Sequence, residues 1–453
     1  MYHRKEPLMR NMEDTAMSEV IVSTKQERIA LNAERNPEVS FTTLAHHIDV
    51  KWLYEAYKKT RKDAVAGVDG VTADEYAENL EEKLKNLLDR AKSGTYRAPA
   101  VKRVHIPKGK GRETRPLGIP TFEDKILQRA VKMVLEPMYE HDFRDCSYGF
   151  RPGRSPHMAI SRMREELMKM GGGWVIDVDI RKYFDTIDHS ILRELFRKRV
   201  RDGVLTRLLG KWLKAGIMDK GQLYYNEEGA PQGGVLSPLL SNVYLHEVLD
   251  VWFEDTVKPR MKGRAFMVRF ADDAILAFEN KEDAMRVFEI LPKRFAKYNL
   301  TLHPEKTRLV RFEKPSDNTR KPETFDFLGF THYWAKSRKG FPVIKHKTAK
   351  DRYARAIRNF NMWLKKNRHM DMKEQQLKLQ RKLQGHYAYY GITFNYDQLY
   401  KVWESVKTMW KKWLGKRSRK SYISWEKFRY ILEGYPLPRP KVMHAIYAAK
   451  LYA

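Results

Sequence analysis

The chain has 453 residues, with 87 Lys and Arg against 57 Asp and Glu, and 42% hydrophobic content, which supports two or three domains with real cores and excludes a disordered basic protein. A single cysteine, Cys146, excludes an intrachain disulfide and a cysteine-based zinc cluster, and fits buried filler in a reducing compartment. No apolar run reaches 18 residues and the first 17 mix charges without an apolar signal core, so a cytoplasmic protein with no membrane partner is expected.

In chain order, residues 1–40 read as a polar extension. Residues 41–100 carry helical spacing through Trp52, Leu53 and Tyr57, then Leu80, Leu84 and Leu87 or Leu88, interrupted by the turn GVDGVT at 67–72. From 101 to 121, Val104 and Ile106 alternate with cations, followed by Gly109, Gly111 and Arg115; such a basic hairpin can clamp a triphosphate or stand as a solvated hairpin. The β-rich run Trp174, Val175, Ile176, Val178 places Asp179 at a strand's end, ahead of a helix from about His189. In PQGGVLSPLLSN, Gly233 and Gly234 suit a close backbone approach, with a helix starting near Ser237 and Pro238.

Residues 266–278, FMVRFADDAILAF, are two apolar half-strands meeting at a turn that carries Asp272 and Asp273. Paired Asp is also ordinary turn chemistry; Asp179, on a separate strand, turns the reading toward a site. Carboxylates from separate strands can hold two Mg2+ ions about 4 Å apart, which implies two-metal nucleotidyl transfer. KPSDNTRKPET at 314–324 reads as a surface loop. Residues 331–453 hold 29 Lys and Arg against 7 Asp and Glu, with six of the ten Trp, a pattern that fits nucleic acid. There the stripe Leu399, Val402, Trp403, Val406, Met409, Trp410, Trp413, Leu414 reads as helix core, leaving Lys411, Lys412, Lys416, Arg417, Arg419 and Lys420 for phosphate.

Nine segments in order carry a family resemblance: GVDGVT; VKRVHIPKGKGRETRPLGIPT at 101–121; SYGFRPGRSPH at 147–157; DIRKYFDTIDH at 179–189; GAPQGGVLSPLLSNVYL at 229–245; FADD at 270–273; LHPEKT at 302–307; FDFLGF at 325–330; and LQGHYAYYGI at 383–392. With them the chain resembles bacterial group II intron-encoded reverse transcriptases. It departs at Phe270, where many members have Tyr, a change expected to leave activity intact.

The resemblance implies an α+β, right-hand polymerase: an N-terminal extension (1–40), fingers (41–170), a palm with an antiparallel sheet packed on helices (171–330), an α-helical thumb or maturase domain (331–416) and a basic C-terminal segment (417–453). It implies RNA-directed DNA synthesis with two Mg2+ ions, Mn2+ as a substitute, held by Asp179, Ile180, Asp272 and Asp273. Asp177 and Asp185 stay outside that set. Lys306 resembles the lysine that protonates departing pyrophosphate, or is an exposed loop lysine. Lys108, Arg115, Ile180, Phe184, Gln232 and Gly233 would face the dNTP and template, Phe184 excluding the ribose 2′ hydroxyl. Lys411, Lys412, Lys416 and Arg417 would contact RNA. The implied partners are group II intron RNA, an RNA template with a DNA primer, target DNA and dNTPs; the oligomeric state stays open. No endonuclease cluster is expected after 417. The alternatives are a non-catalytic splicing maturase and a reverse transcriptase serving a defence system.

Overall fold

The computed structural model describes residues 6–107, 114–219, 221–225, 229, 233–315, 322–418 and 422–445, with backbone alone for 6–18 and 115. Its strands are β1 Val101–Pro107, β2 Thr114–Ile119, β3 Trp174–Val178, β4 Ile217–Asp219, β5 Gln222–Tyr224, β6 Ala265–Phe270, β7 Asp273–Phe278, β8 Arg308–Arg311, β9 Phe325–Phe327, β10 Phe330–Lys336 and β11 Pro342–Thr348. They form three sheets within an α+β fold, ordered β2-β1-β4-β5, β6-β7-β3-β8 and β11-β10-β9.

Within the polar extension expected over 1–40, the described residues are largely helical. Glu6–Arg35 is one helix that buries Val22, Ile29 and Ala33, and Gln26 donates to the Met133 carbonyl at 2.9 Å on the helix Phe122–Asp142. Asp49 caps the next helix, Val50–Lys59, by accepting from the Trp52 N–H at 2.8 Å. Trp52 is fully buried, and its indole donates to the Ala130 carbonyl. These apolar faces converge on the core that also underlies the central sheet.

The central sheet β6-β7-β3-β8 is antiparallel throughout, its register fixed by the pairs Val178↔Ala274, Phe270↔Asp273 and Asp177↔Arg308. One face rests on the helices Ser237–Leu245 and Lys281–Ala296, with Leu240, Tyr244, Leu291 and Phe295 in the same core. The helix Ser237–Leu245 continues as a π-helical stretch, His246–Val257, that brings Asp250 under β6.

Residues 331–348 depart from the expected all-helical thumb. They belong to β10 and β11, which pair along their length and take β9 on the other edge, so the third sheet straddles the boundary drawn at 330. Alternating Phe325, Phe327, Phe330 and Ile344 bury one face of it against the helix Pro156–Met170 and the far face of the central sheet. Helices Lys350–Lys366, Met372–Tyr390, Tyr396–Leu414 and Trp425–Gly434 follow, packed around Leu399, Val402, Val406, Trp410 and Leu414. The Trp410 indole donates to Gln375 at 2.6 Å and that of Trp413 to Asn361 at 2.8 Å, so these tryptophans are packing residues.

His332 and His346 face each other across β10 and β11 and are fully buried. Burial pushes His332 well below its usual range and His346 down to about 4, with His346 beside His332 and Arg164 beside His346 adding repulsion. The unfolded chain therefore takes up protons near pH 6.5 that the folded chain refuses, so stability is full above that pH and falls as pH drops toward 4. For His346 the loss approaches about 3 kcal/mol. Thermal melting between pH 7.5 and 4.5 should show this fall, and His346→Phe should flatten it; an unchanged slope would contradict the assignment.

Candidate active site

The turn between β6 and β7 is two residues long. Phe270 pairs with Asp273, so Ala271 and Asp272 make the bend, and Ala271 takes the left-handed backbone, φ +58°, that a tight hairpin requires. A non-glycine residue in that region is strained and needs support.

Arg269 provides the support. It is 0% exposed on β6, and its guanidinium donates to Asp250 at 2.7 and 2.5 Å, to Asn242 at 3.0 Å, to the Ser147 hydroxyl at 2.8 Å and to the Ala271 carbonyl at 2.9 Å. Burial works against the charge of Asp250, yet the guanidinium beside it holds its carboxyl below the usual range. The segment Cys146–Tyr148 runs along the free edge of β6, with Tyr148 N–H donating to the Arg269 carbonyl and Arg269 N–H to that of Cys146, both at 2.8 Å. Gly149 then lies against the turn, where a Cβ would stand 2.2 Å from the Ala271 nitrogen. Asn242 closes the clamp by donating to the Gly149 carbonyl at 2.7 Å.

Asp179 follows β3 directly, one residue past Val178↔Ala274, and so ends beside Asp273 on the neighbouring strand. Its position is locked by His303 N–H donating to its carbonyl at 2.8 Å and by Thr307, while Lys306 Nζ lies 3.3 Å from its carboxylate. Ile180 forms a bridge with Leu302, and its side chain is buried, so what it can offer a ligand is a backbone carbonyl.

The sheet thus brings Asp179, Asp272 and Asp273 to one end, with Asp177 one pleat back. Crowding by surrounding atoms, then the charges of Asp272 and Asp179, pushes Asp273 up to about 6, although the residue is exposed at the surface. Asp177 is pushed up to about 7 by burial, against the nearby Arg308. A cluster of carboxylates that resists ionising together calls for cations. The donors are hard oxygens of the kind Mg2+ takes, so the residues fit such ions. Among the described residues no three acidic, His or Cys side chains converge on one point as they stand; Asp179 is drawn to Lys306 instead.

Of the other expected site residues, Phe184 lies in a helical turn, Tyr183–Asp185, half-buried with its ring 5.2 Å from that of Tyr183. Gly233 has φ +109°, and a Cβ there would meet the Gly118 carbonyl at 2.3 Å; the crowding that requires glycine comes from β2. Lys108 and Gln232 lie outside the described residues, as do Arg419, Lys420 and the side chain of Arg115. Lys412 and Lys416 are exposed, whereas Lys411 lies 4.7 Å over the Trp425 ring and Arg417 is anchored to the Met370 carbonyl. Arg269, Asp250, Asn242 and Ser147 had no assigned role in the sequence; the signal for them is a lone Arg inside an apolar strand, which must find buried partners.

The chain belongs to the reverse transcriptase family: the sequence pattern described as reverse transcriptase (RNA-dependent DNA polymerase) matches residues 106–332, which include the whole central sheet. Among curated proteins it is similar to the group II intron-encoded protein LtrA of Lactococcus lactis subsp. cremoris, 33% identical over 305 residues, covering 64% of this chain and 50% of that protein. It is also similar to protein YkfC of Escherichia coli (strain K12), 42% identical over 235 residues, covering 50% of this chain and 61% of that one. A third is the putative COX1/OXI3 intron 2 protein of Saccharomyces cerevisiae, 34% identical over 211 residues, covering 46% of this chain and 24% of that protein. The chain therefore spans about half the length of the first of these.

Proposed function

We propose that the protein is an RNA-directed DNA polymerase that binds a group II intron RNA, assists its splicing and copies it into DNA. The observation that carries this reading is the placement of Asp179, Asp272 and Asp273 at the same end of adjacent strands of the central sheet, beside Lys306. The similarity to an intron-encoded protein supports the intron RNA as partner.

On this reading residues 41–170 are the fingers, 171–330 the palm and 331–416 the thumb, whose first strands dock on the palm. Asp179, Asp272 and Asp273, with the Ile180 carbonyl, would hold two Mg2+ ions, Mn2+ substituting; these would stabilise the negative charge on the primer's 3′ oxygen and on the leaving pyrophosphate. Lys306, 3.3 Å from the Asp179 carboxylate, would hand a proton to that pyrophosphate. Lys108 and Arg115 would grip the triphosphate, and Gln232 and Gly233 would face the template. Lys411, Lys412, Lys416 and Arg417 would lie toward RNA phosphates, the exposed Lys412 and Lys416 foremost. Target DNA would be met where the copied strand is installed. Among the described residues no helix is long and apolar enough to cross a membrane.

The ring of Phe184 would lie beneath the sugar of the incoming nucleotide, where it leaves no room for a 2′ hydroxyl. Phe184→Ala is expected to raise ribonucleotide incorporation at least about tenfold relative to dNTP in primer extension, since a removed ring frees more than one methylene of space, each worth about 1 kcal/mol or more in selectivity. An unchanged ratio would remove Phe184 from the site.

A further inference from the structure

Phe150 is the most anomalous residue near the candidate site. Its backbone is left-handed, φ +59°, and its side chain is 51% exposed. Glycine or asparagine would take that conformation with less strain, and a polar side chain would suit the exposure. The strain is imposed from both sides. Gly149 is wedged against the Ala271 turn and tied to Asn242. Arg151 is buried, bonded to Glu140 at 2.7 and 3.0 Å and to the Arg144 and Ser147 carbonyls at 2.7 and 2.9 Å. Between two fixed neighbours the Phe150 ring is held outward, its centroid 6.5 Å from that of Phe270, the residue that enters the Asp272 turn.

The sheet order says what lies on this side. Lys306, on the segment leading into β8, flanks the carboxylates from the β3 and β8 edge. Phe150 and Phe270 flank them from the opposite edge, where Cys146–Tyr148 borders β6. In-line phosphoryl transfer puts the attacking and leaving oxygens on opposite sides of the phosphorus. If pyrophosphate leaves beside Lys306, the attacking 3′ oxygen comes from the Phe150 side.

We infer that Phe150, with Phe270, forms an aromatic pad that contacts the sugar or base of the primer's 3′-terminal nucleotide, an inference that rests on the polymerase reading above. Aromatic faces accept any nucleotide, as a primer end of variable sequence requires.

The test compares wild type with Phe150→Gly, Phe150→Ala and Phe150→Tyr in primer extension on an RNA template, alongside thermal melting. Extension should follow the ring: Tyr near wild type, while Gly and Ala need roughly tenfold more primer–template for half-maximal rate with the KM for dNTP within about twofold. Melting should follow the backbone, Gly being more stable than Ala because it alone escapes the positive-φ strain. A glycine variant that extends like wild type, or one whose defect lies in dNTP KM, overturns the primer contact. Gly melting below Ala overturns the strain argument. Wild type that makes no DNA overturns the polymerase reading itself, and with it this inference.

Discussion

Asp272→Asn is expected to reduce DNA synthesis about a thousandfold, the equivalent of about 4 kcal/mol of transition-state stabilisation, while leaving RNA affinity and melting temperature near wild type. Asp272 occupies the bend of a turn whose shape is held by the Ala271 backbone, the wedged Gly149 and the Arg269 guanidinium. Asparagine keeps the size and turn preference of aspartate but not the negative charge that attracts a cation. Steady-state extension rates measured beside filter binding of RNA check this. Retention of more than about a tenth of the activity would contradict the assignment of Asp272 as a metal ligand, and a parallel loss of RNA binding would point to a folding defect.

The second large effect is on Arg269. Arg269→Met leaves Asp250 buried and without the guanidinium that satisfies it, which is expected to cost about 3 to 5 kcal/mol. Denaturant unfolding would show it as a lower midpoint. Replacing both partners, Arg269→Met with Asp250→Leu, removes the stranded charge and should recover most of that stability, because a buried ion pair exchanged for apolar groups of similar volume is often neutral. Polymerisation should not recover with it. The donor to the Ala271 carbonyl is gone in both variants, so the turn that carries Asp272 is loosened, and activity should stay at least about tenfold down. Full activity in the stable double variant would show that Arg269 serves the fold alone.

The carboxylate-bearing end of the central sheet was legible in the chain because apolar runs with period-2 spacing leave few places for charge. Asp179 after WVIDV and the Asp272–Asp273 pair between two half-strands stand out against such runs, and the strands formed there as Trp174–Val178, Ala265–Phe270 and Asp273–Phe278. What joins Asp179 to Asp273 is register between strands about ninety residues apart, which the segments themselves do not encode. The Arg269 clamp was less legible, since its partners lie 19, 27 and 122 residues away and meet only through topology. Gly233 was legible as suiting a close backbone approach, but that the Gly118 carbonyl, far off in sequence, is what approaches it was not. The docked helix over Glu6–Arg35 was hidden by its charge: Val22, Ile29 and Ala33 form a narrow stripe within a polar sequence. In the third sheet, buried histidines at 332 and 346 occupy inward positions that polar residues rarely take, which blurred the strand pattern.

The measurement that bears most directly on the central claim is extension of a DNA primer on an RNA template by the wild-type chain, with dNTPs and Mg2+, repeated with ribonucleotides and after chelation of the metal. The account predicts DNA product that depends on Mg2+, with ribonucleotides incorporated poorly. Tight binding of group II intron RNA with no DNA product under any of these conditions would contradict it and make the protein a splicing helper without polymerase activity.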